Sequence, residues 1–169
     1  YFGGYHRNDA ATKEGWADGW WHTGDVVRAL ADGSLCFVDR RKNIIRRSGE
    51  NIAALEVEAV LSQHPAINVL AVTSVPDEIR GDEVMACIVL NSGYAPNKET
   101  AKSIFNQCLD GLAYFKAPGY VAFVSALPLT ATQKPKRNEI KMLAKIYLKE
   151  APHDTVVFDL RKRKRKTLV

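Results

Sequence analysis

A small α+β fold is predicted for this 169-residue chain, and three observations predict it. Short strand-like apolar runs intermix with segments of helical periodicity over about 110 residues. Most of those runs are separated by no more than one helix of crossover length, which argues against a large parallel sheet. The longest apolar run, Val84 to Leu90, has only seven residues, whereas a membrane-spanning helix needs about 20. With 46% hydrophobic and 25% charged residues, the chain has material for one core or slightly more.

The elements can be justified in order. The first 24 residues read as irregular surface chain, punctuated by Gly3, Gly4, Gly15 and Gly19 and interleaved with Trp16, Trp20 and Trp21. A start at Tyr1 reads as a piece of something longer, and nothing there resembles a secretory leader. Val26 to Leu30 and Leu35 to Asp39 flank Ala31-Asp32-Gly33-Ser34, a strong hairpin signal because glycine supplies positive φ without steric cost. The dense polar patch Asp39-Arg40-Arg41-Lys42-Asn43 marks a boundary between two structural units. Ile44 and Ile45 resume a strand, Ser48-Gly49-Glu50-Asn51 turns the chain, and a helix runs from Ala54 with Val57, Leu61 and His64 on one face, stopped by Pro65. Val69 to Val75 and Val84 to Leu90 form two strands. Asn97 caps a helix carrying Ile104, Phe105, Cys108, Leu109 and Leu112. Tyr120 to Val124 is a further strand, Leu127 to Lys136 a loop with two prolines, and the last helix starts near Asn138 with Ile140, Leu143 and Tyr147 at helical spacing.

Charge is distributed unevenly. Of 24 lysines and arginines, six lie consecutively from Arg161 to Lys166, leaving 18 against 19 acids and a body close to neutral. A run of six like charges repels itself and reads as a solvated, disordered tail; nucleic acid is not the indicated partner. Cys36, Cys87 and Cys108 are odd in number and far apart, which points away from a disulfide framework and towards a reducing, cytoplasmic setting. His6, His22, His64 and His153 lack ligand spacing, so no metal site is expected.

Three polar clusters stand out. They are His22-Thr23-Gly24-Asp25, Asp39-Arg40-Arg41-Lys42 continuing to Ser48-Gly49-Glu50-Asn51, and Thr130-Ala131-Thr132-Gln133-Lys134-Pro135-Lys136-Arg137. Each alone is a weak signal. Their order is specific: Gly-Trp-x-x-Thr-Gly-Asp, an Asp-Gly hairpin, Asp-Arg-x-Lys, Gly-Glu-Asn-Ile before a helix, and Thr-x-Thr-x-Lys before the terminal helix. This series resembles the C-terminal part of the adenylate-forming superfamily of acyl-CoA synthetases, peptide-synthetase adenylation domains and firefly-type luciferases. The likeness covers about residues 1 to 150. Gly49-Glu50-Asn51-Ile52 followed by Leu55-Glu56-Val57-Glu58 is most similar to the acyl-CoA synthetases, with the carnitine or crotonobetaine CoA ligases as neighbours.

The resemblance implies a small lid domain, a short sheet flanked by helices, at residues 40–150. Before it, residues 1–39 would supply the terminal strands of a large adenylating domain that is absent, and residues 151–169 a basic tail. It implies an ATP-dependent acyl-CoA synthetase, an acid–thiol ligase that makes acyl-adenylate and pyrophosphate and then acyl-CoA and AMP. This chain would be inactive alone. The other readings are a peptide-synthetase or luciferase-like adenylation fragment, or a binding module that keeps the lid fold.

Site residues follow from the same resemblance. Asp25 would hold the ribose hydroxyls, since a carboxylate accepts two hydroxyl bonds side by side, although a strand end bonding its own backbone looks the same. Arg40 would lie near the ribose and phosphates, where its fork suits paired anionic oxygens; the alternative is an exposed ion pair with Asp39. Lys42 matches the hinge on which the lid turns. Gly49 would line the pantetheine passage of coenzyme A and is equally a turn glycine; Arg46 would meet CoA phosphates or be surface charge. Lys134 would be the catalytic lysine, offsetting charge as the carboxylate meets the α-phosphate. Gln133 stands where the family has glycine and would restrict the loop if its φ is positive. Mg²⁺ would be held by ATP and the large domain. The missing Pro-Lys-Gly phosphate loop and Tyr-Gly-x-Thr-Glu motif agree with an absent N-terminal domain, which joins a carboxylic acid and CoA as expected partners.

Overall fold

The computed structural model describes residues 3–152 and 155–161. It divides into two compact units, Tyr1–Lys42 and Asn43–Val169.

The first unit holds a short helix, α1 (Asp9–Gly15), two two-residue strands, β1 (Trp16–Ala17) and β2 (Trp20–Trp21), and an antiparallel hairpin of β3 (Asp25–Ala29) and β4 (Leu35–Arg40). The helix replaces the irregular chain expected there. Its signal was a cap rather than a hydrophobic face: the Asn8 side chain accepts from the Ala11 amide, and no residue of α1 is buried. Trp21 packs edge-on to Tyr5 and Trp16, with ring centroids 5.5 and 5.7 Å apart. A side chain at Gly15 would overlap the Trp21 ring.

The second unit is a six-stranded sheet with helices on both faces. Its elements are β5 (Ile44–Arg47), β6 (Glu50–Ala53), α2 (Ala54–Leu61), β7 (Ile67–Asp77), β8 (Gly81–Leu90), α3 (Lys98–Gly111), β9 (Tyr120–Phe123), α4 (Arg137–Lys149) and β10 (Val156–Asp159). β8 is the central strand. It pairs antiparallel with β7 along its length. Its other edge takes β9, parallel, at Met85–Ile88 and β5 at Gly81. Burial alternates along β8: Val84, Ala86 and Ile88 pack with Val57 and Leu61 of α2 and Ile104 and Cys108 of α3, whereas Met85 and Cys87 pack with Ile140, Ala144 and Tyr147 of α4. A strand covered on both faces must be apolar at successive positions, which accounts for the seven-residue run. Asn97 caps α3 by accepting from the Thr100 amide, as its sequence predicts. Cys87 and Cys108 are free thiols, and burial pushes both up to about 12, so neither is a thiolate at neutral pH. Among the described residues no helix is long and apolar enough to cross a membrane.

Two expectations are corrected. α2 ends at Leu61, before Pro65, and His64 lies beyond it, buried. The segment assigned to the tail from residue 151 instead contains β10, which adds antiparallel to β9 and packs Phe158 edge-on to Phe123 at 5.8 Å. Arg161, the first residue of the basic run, pairs with Asp77 and Asp159 (2.7 Å to the latter) and lies 4.4 Å over the Tyr120 ring. Sequence does not disclose that β9 offers β10 an edge, which brings Arg161 to these acids. The disorder expected further along falls on residues 162–169, outside the described residues.

His64 ties the turn after α2 to α3: Nδ1 accepts from the Ala66 amide at 3.2 Å and Nε2 lies 3.0 Å from Ser103 Oγ. Burial lowers its pKa from the ordinary 6.5. The fold therefore holds the neutral ring, and the unfolded chain takes up the proton first as pH falls. Stability is full above the unfolded value and declines as pH drops below it, until the folded ring also protonates. Denaturant unfolding at pH 7.5 and 5.5 should show this decline, and His64→Gln should flatten it.

Candidate functional site

Asp25 and Arg40 are register partners across the β3–β4 hairpin, so their side chains leave the same face. Arg40 Nε lies 2.7 Å from Asp25 Oδ1. The Thr23 hydroxyl accepts from the Asp25 amide at 3.1 Å, and Gly24, at φ +74°, lets its carbonyl accept from the Arg41 amide at 2.7 Å. Thr23-Gly24 thus forms the turn that delivers Asp25 to the strand. Asp39 is not the partner of the Arg40 guanidinium in this pair; it is buried, and its carboxylate accepts the Arg40 amide at 2.7 Å. The Arg40 side chain is 62% exposed. An exposed pair of this kind is worth about 1 kcal/mol or less, so a ligand that offers hydroxyls to the acid and anionic oxygens to the base can displace it.

Lys42 is exposed, in a 3₁₀ helix of one turn, Arg41–Asn43, and the division between units falls directly after it.

Arg46 and Gly49 belong to the β5–β6 hairpin. Ser48 (φ +52°) and Gly49 (φ +87°) form its two-residue turn, the combination that matches the twist of the flanking strands. The glycine is needed for that φ and not for packing, since nothing lies within 4 Å of a Cβ placed there. Ile45 and Ile52 pair across the hairpin and enter the core, whereas Arg46 is exposed. The turn is legible in the sequence but the strand after it is not, because Glu50 and Asn51 are poor strand formers on their own.

Lys134 lies in a loop closed by its own residues. The Thr130 amide donates to the Lys134 carbonyl at 2.8 Å, and the Thr130 hydroxyl accepts from the Lys134 amide at 3.1 Å and lies 3.0 Å from the Thr132 hydroxyl. Leu129 and Pro135 bridge its base. Lys134 is exposed and, among the described residues, makes no ion pair. The threonines therefore build a stiff support for one cation. Gln133 sits at φ +60°, a conformation that costs a residue with a Cβ about 1–2 kcal/mol. Substituting Gln133→Val, β-branched at a positive φ, should lower the unfolding free energy by about 1–2 kcal/mol, while Gln133→Gly should not lower it. Equal effects in thermal melts would show that the φ imposes nothing.

The loop is anchored at its far end. Arg137, first residue of α4, grips the Glu58 carboxylate of α2 with both terminal nitrogens (2.7 Å through Nη2) and donates to the Val72 carbonyl at 3.2 Å. Glu58 also accepts the Val72 amide at 2.7 Å. Glu58 and Arg137 both fall inside recognised motifs, but their pairing across 79 residues has no local signature. Among the described residues no group of three or more histidine, cysteine or acidic side chains could hold a metal ion.

Residues 56–134 match the model of the AMP-binding enzyme C-terminal domain. Crotonobetaine/carnitine–CoA ligase of Proteus mirabilis is 39% identical over 137 residues, covering 81% of this chain. The chain spans 26% of that relative's length. Of solved structures, o-succinylbenzoate CoA synthetase of Bacillus subtilis in complex with its acyl-adenylate is 32% identical with a TM-score of 0.72, over 82% of this chain and 28% of that one. ATP-bound MatB of Rhodopseudomonas palustris is 28% identical with a TM-score of 0.73, over 86% and 29% respectively.

Proposed function

The chain belongs to the AMP-binding enzyme C-terminal domain family, and on that premise we propose that it works as the C-terminal part of an ATP-dependent acid–thiol ligase. In the first half-reaction a carboxylate oxygen attacks the α-phosphorus of ATP, the α–β phosphoanhydride bond breaks, and pyrophosphate leaves. In the second, the sulfur of coenzyme A attacks the acyl carbon, the acyl–phosphate C–O bond breaks, and AMP leaves. Use of ATP is a property of the family, one member of which is solved with ATP and another with an acyl-adenylate.

The observation that carries the reading is Lys134, an exposed cation that makes no ion pair among the described residues, on a loop stiffened by Thr130 and Thr132. When a carboxylate approaches a phosphate, two anions crowd together, and a fixed ammonium beside both favours the transition state over the separated reactants. Asp25 binds the ribose hydroxyls and Arg40 the neighbouring anionic oxygens, exchanging their mutual pair for the nucleotide. Lys42 is the pivot between the half-reactions. Gly49 gives the pantetheine arm an unobstructed passage, and Arg46 meets the CoA phosphates. Mg²⁺ would accompany the ATP phosphates and offset their charge.

The test is carboxylate-dependent exchange of labelled pyrophosphate into ATP by the intact ligase, across a panel of short-chain, aryl and long-chain acids. Exchange that requires one of these acids, followed by CoA-dependent release of AMP, supports the reading. ATP turnover indifferent to every acid opposes it.

A further inference from the structure

One buried charge is unused by the chemistry above. Glu83 is 0% exposed, the only charged side chain besides Asp39 buried to that degree among the described residues. It lies on β8 where that strand's edge passes from β5 to β9. Its Oε1 accepts from Arg47 Nε at 2.8 Å and from the Val84 amide at 2.8 Å, and its Oε2 accepts from Arg80 Nη1. Arg47 also donates to the Phe115 carbonyl, and its side chain is only 11% exposed. On the far side the carboxylate rests on Gly119, where a Cβ would overlap its carboxyl carbon and stand 2.7 Å from Oε1.

The location of this cluster matters more than its strength. Among the described residues, the β5–β6 hairpin meets the rest of the sheet through one register pair, Arg47 with Gly81, and one further backbone bond from the Ser48 amide to the Arg80 carbonyl at 2.9 Å. Ile45 and Ile52 hold its inner end in the core, but Ser48, Gly49, Glu50 and Asn51 at its tip are exposed. Arg47 and Arg80 are the residues adjoining these ties. Their convergence on one carboxylate joins both to a single fixed point. Apolar residues would seal such a gap with less desolvation cost. Two guanidiniums locked on one carboxylate add direction, because each fork has a narrow range of angles.

We infer that Glu83 is a positioning residue for the thiol-transfer step, setting the tip of the β5–β6 hairpin through Arg47 and Arg80. The inference rests on the reading that Gly49 and Arg46 meet coenzyme A. It adds that their placement is decided by a carboxylate 34 positions away from Gly49 in sequence and never in contact with substrate.

The two half-reactions separate this role from a general structural one. In the intact ligase, Glu83→Gln and Gly119→Ala should slow thioester formation from supplied acyl-adenylate by about tenfold or more and raise the KM for CoA, while acid-dependent pyrophosphate exchange stays within about twofold of wild type. Amide hydrogen exchange at Ser48–Asn51 should accelerate in both variants, with Ala86–Ile88 unchanged. Gly119→Ala keeps all three charges, so it reads the same quantity if Glu83→Gln does not fold. Equal loss in both half-reactions, or hairpin exchange at the wild-type rate, overturns the inference. If the wild-type ligase shows no acid-dependent exchange, the functional reading fails by itself, and the hairpin amides still report whether Glu83 holds the tip.

Discussion

Replacing Lys134 with alanine should cut acid-dependent ATP–pyrophosphate exchange by about 10²–10³-fold and leave thioester formation from supplied acyl-adenylate within a few-fold of wild type. The asymmetry follows from where charge accumulates. Only the first half-reaction brings a carboxylate and a phosphate together, and only there does a fixed ammonium bind the transition state better than the reactants. The loss cannot be ascribed to unfolding, because the loop is closed through backbone groups and the Thr130 hydroxyl, none of which involves the Lys134 ammonium. Stability should therefore shift by no more than about 0.5 kcal/mol. Lys134→Arg should not rescue exchange fully, since a planar fork does not reproduce a compact point charge. Equal loss in the two half-reactions would contradict the assignment.

The complementary result is expected for Lys42→Pro: pyrophosphate exchange persists, and thioester formation falls by at least about tenfold. The substitution fixes φ at Lys42 and restricts Arg41 before it, in the turn where one compact unit gives way to the other. A pivot must change its backbone angles to do its work, whereas a solvated lysine need not. Lys42→Ala, which removes the charge and leaves the backbone free, should keep both half-reactions. If Lys42→Pro also keeps both, the pivot lies elsewhere.

These two substitutions and Glu83→Gln would sort the ligase into separable parts. On the proposed reading, Lys134→Ala should affect acid activation alone, whereas Lys42→Pro and Glu83→Gln should affect thiol transfer by different routes. Lys42→Pro should leave hydrogen exchange at the hairpin tip untouched, and Glu83→Gln should accelerate it.

Most of the candidate site was legible in the sequence because its parts are local. The Asp-Gly turn, the Ser-Gly hairpin turn, the Asn97 cap and the threonine-braced lysine loop each lie within a few residues, where backbone preference and short-range hydrogen bonds decide the conformation. The positive φ at Gln133 was foreseeable from the glycine it displaces. α1 went unread because a seven-residue helix with no buried face shows no periodicity, and β6 because its polar residues have no strand preference until a neighbour offers hydrogen bonds.

Periodicity and motif order, read along one chain, were enough to indicate the α+β class and the adenylate-forming kinship, and to single out Lys134 as a candidate. Tertiary structure alone decided the partners of the charges: Asp25 with Arg40, Glu58 with Arg137, Asp77 with Arg161, and Glu83 with Arg47 and Arg80. The physical reason is that an ion pair carries almost no preference for sequence separation. Any of 24 cations can satisfy any of 19 acids. The β3–β4 register brings Asp25 to Arg40, and the packing of the second unit around a sheet buried on both faces at Val84 to Leu90 brings the other pairs within reach.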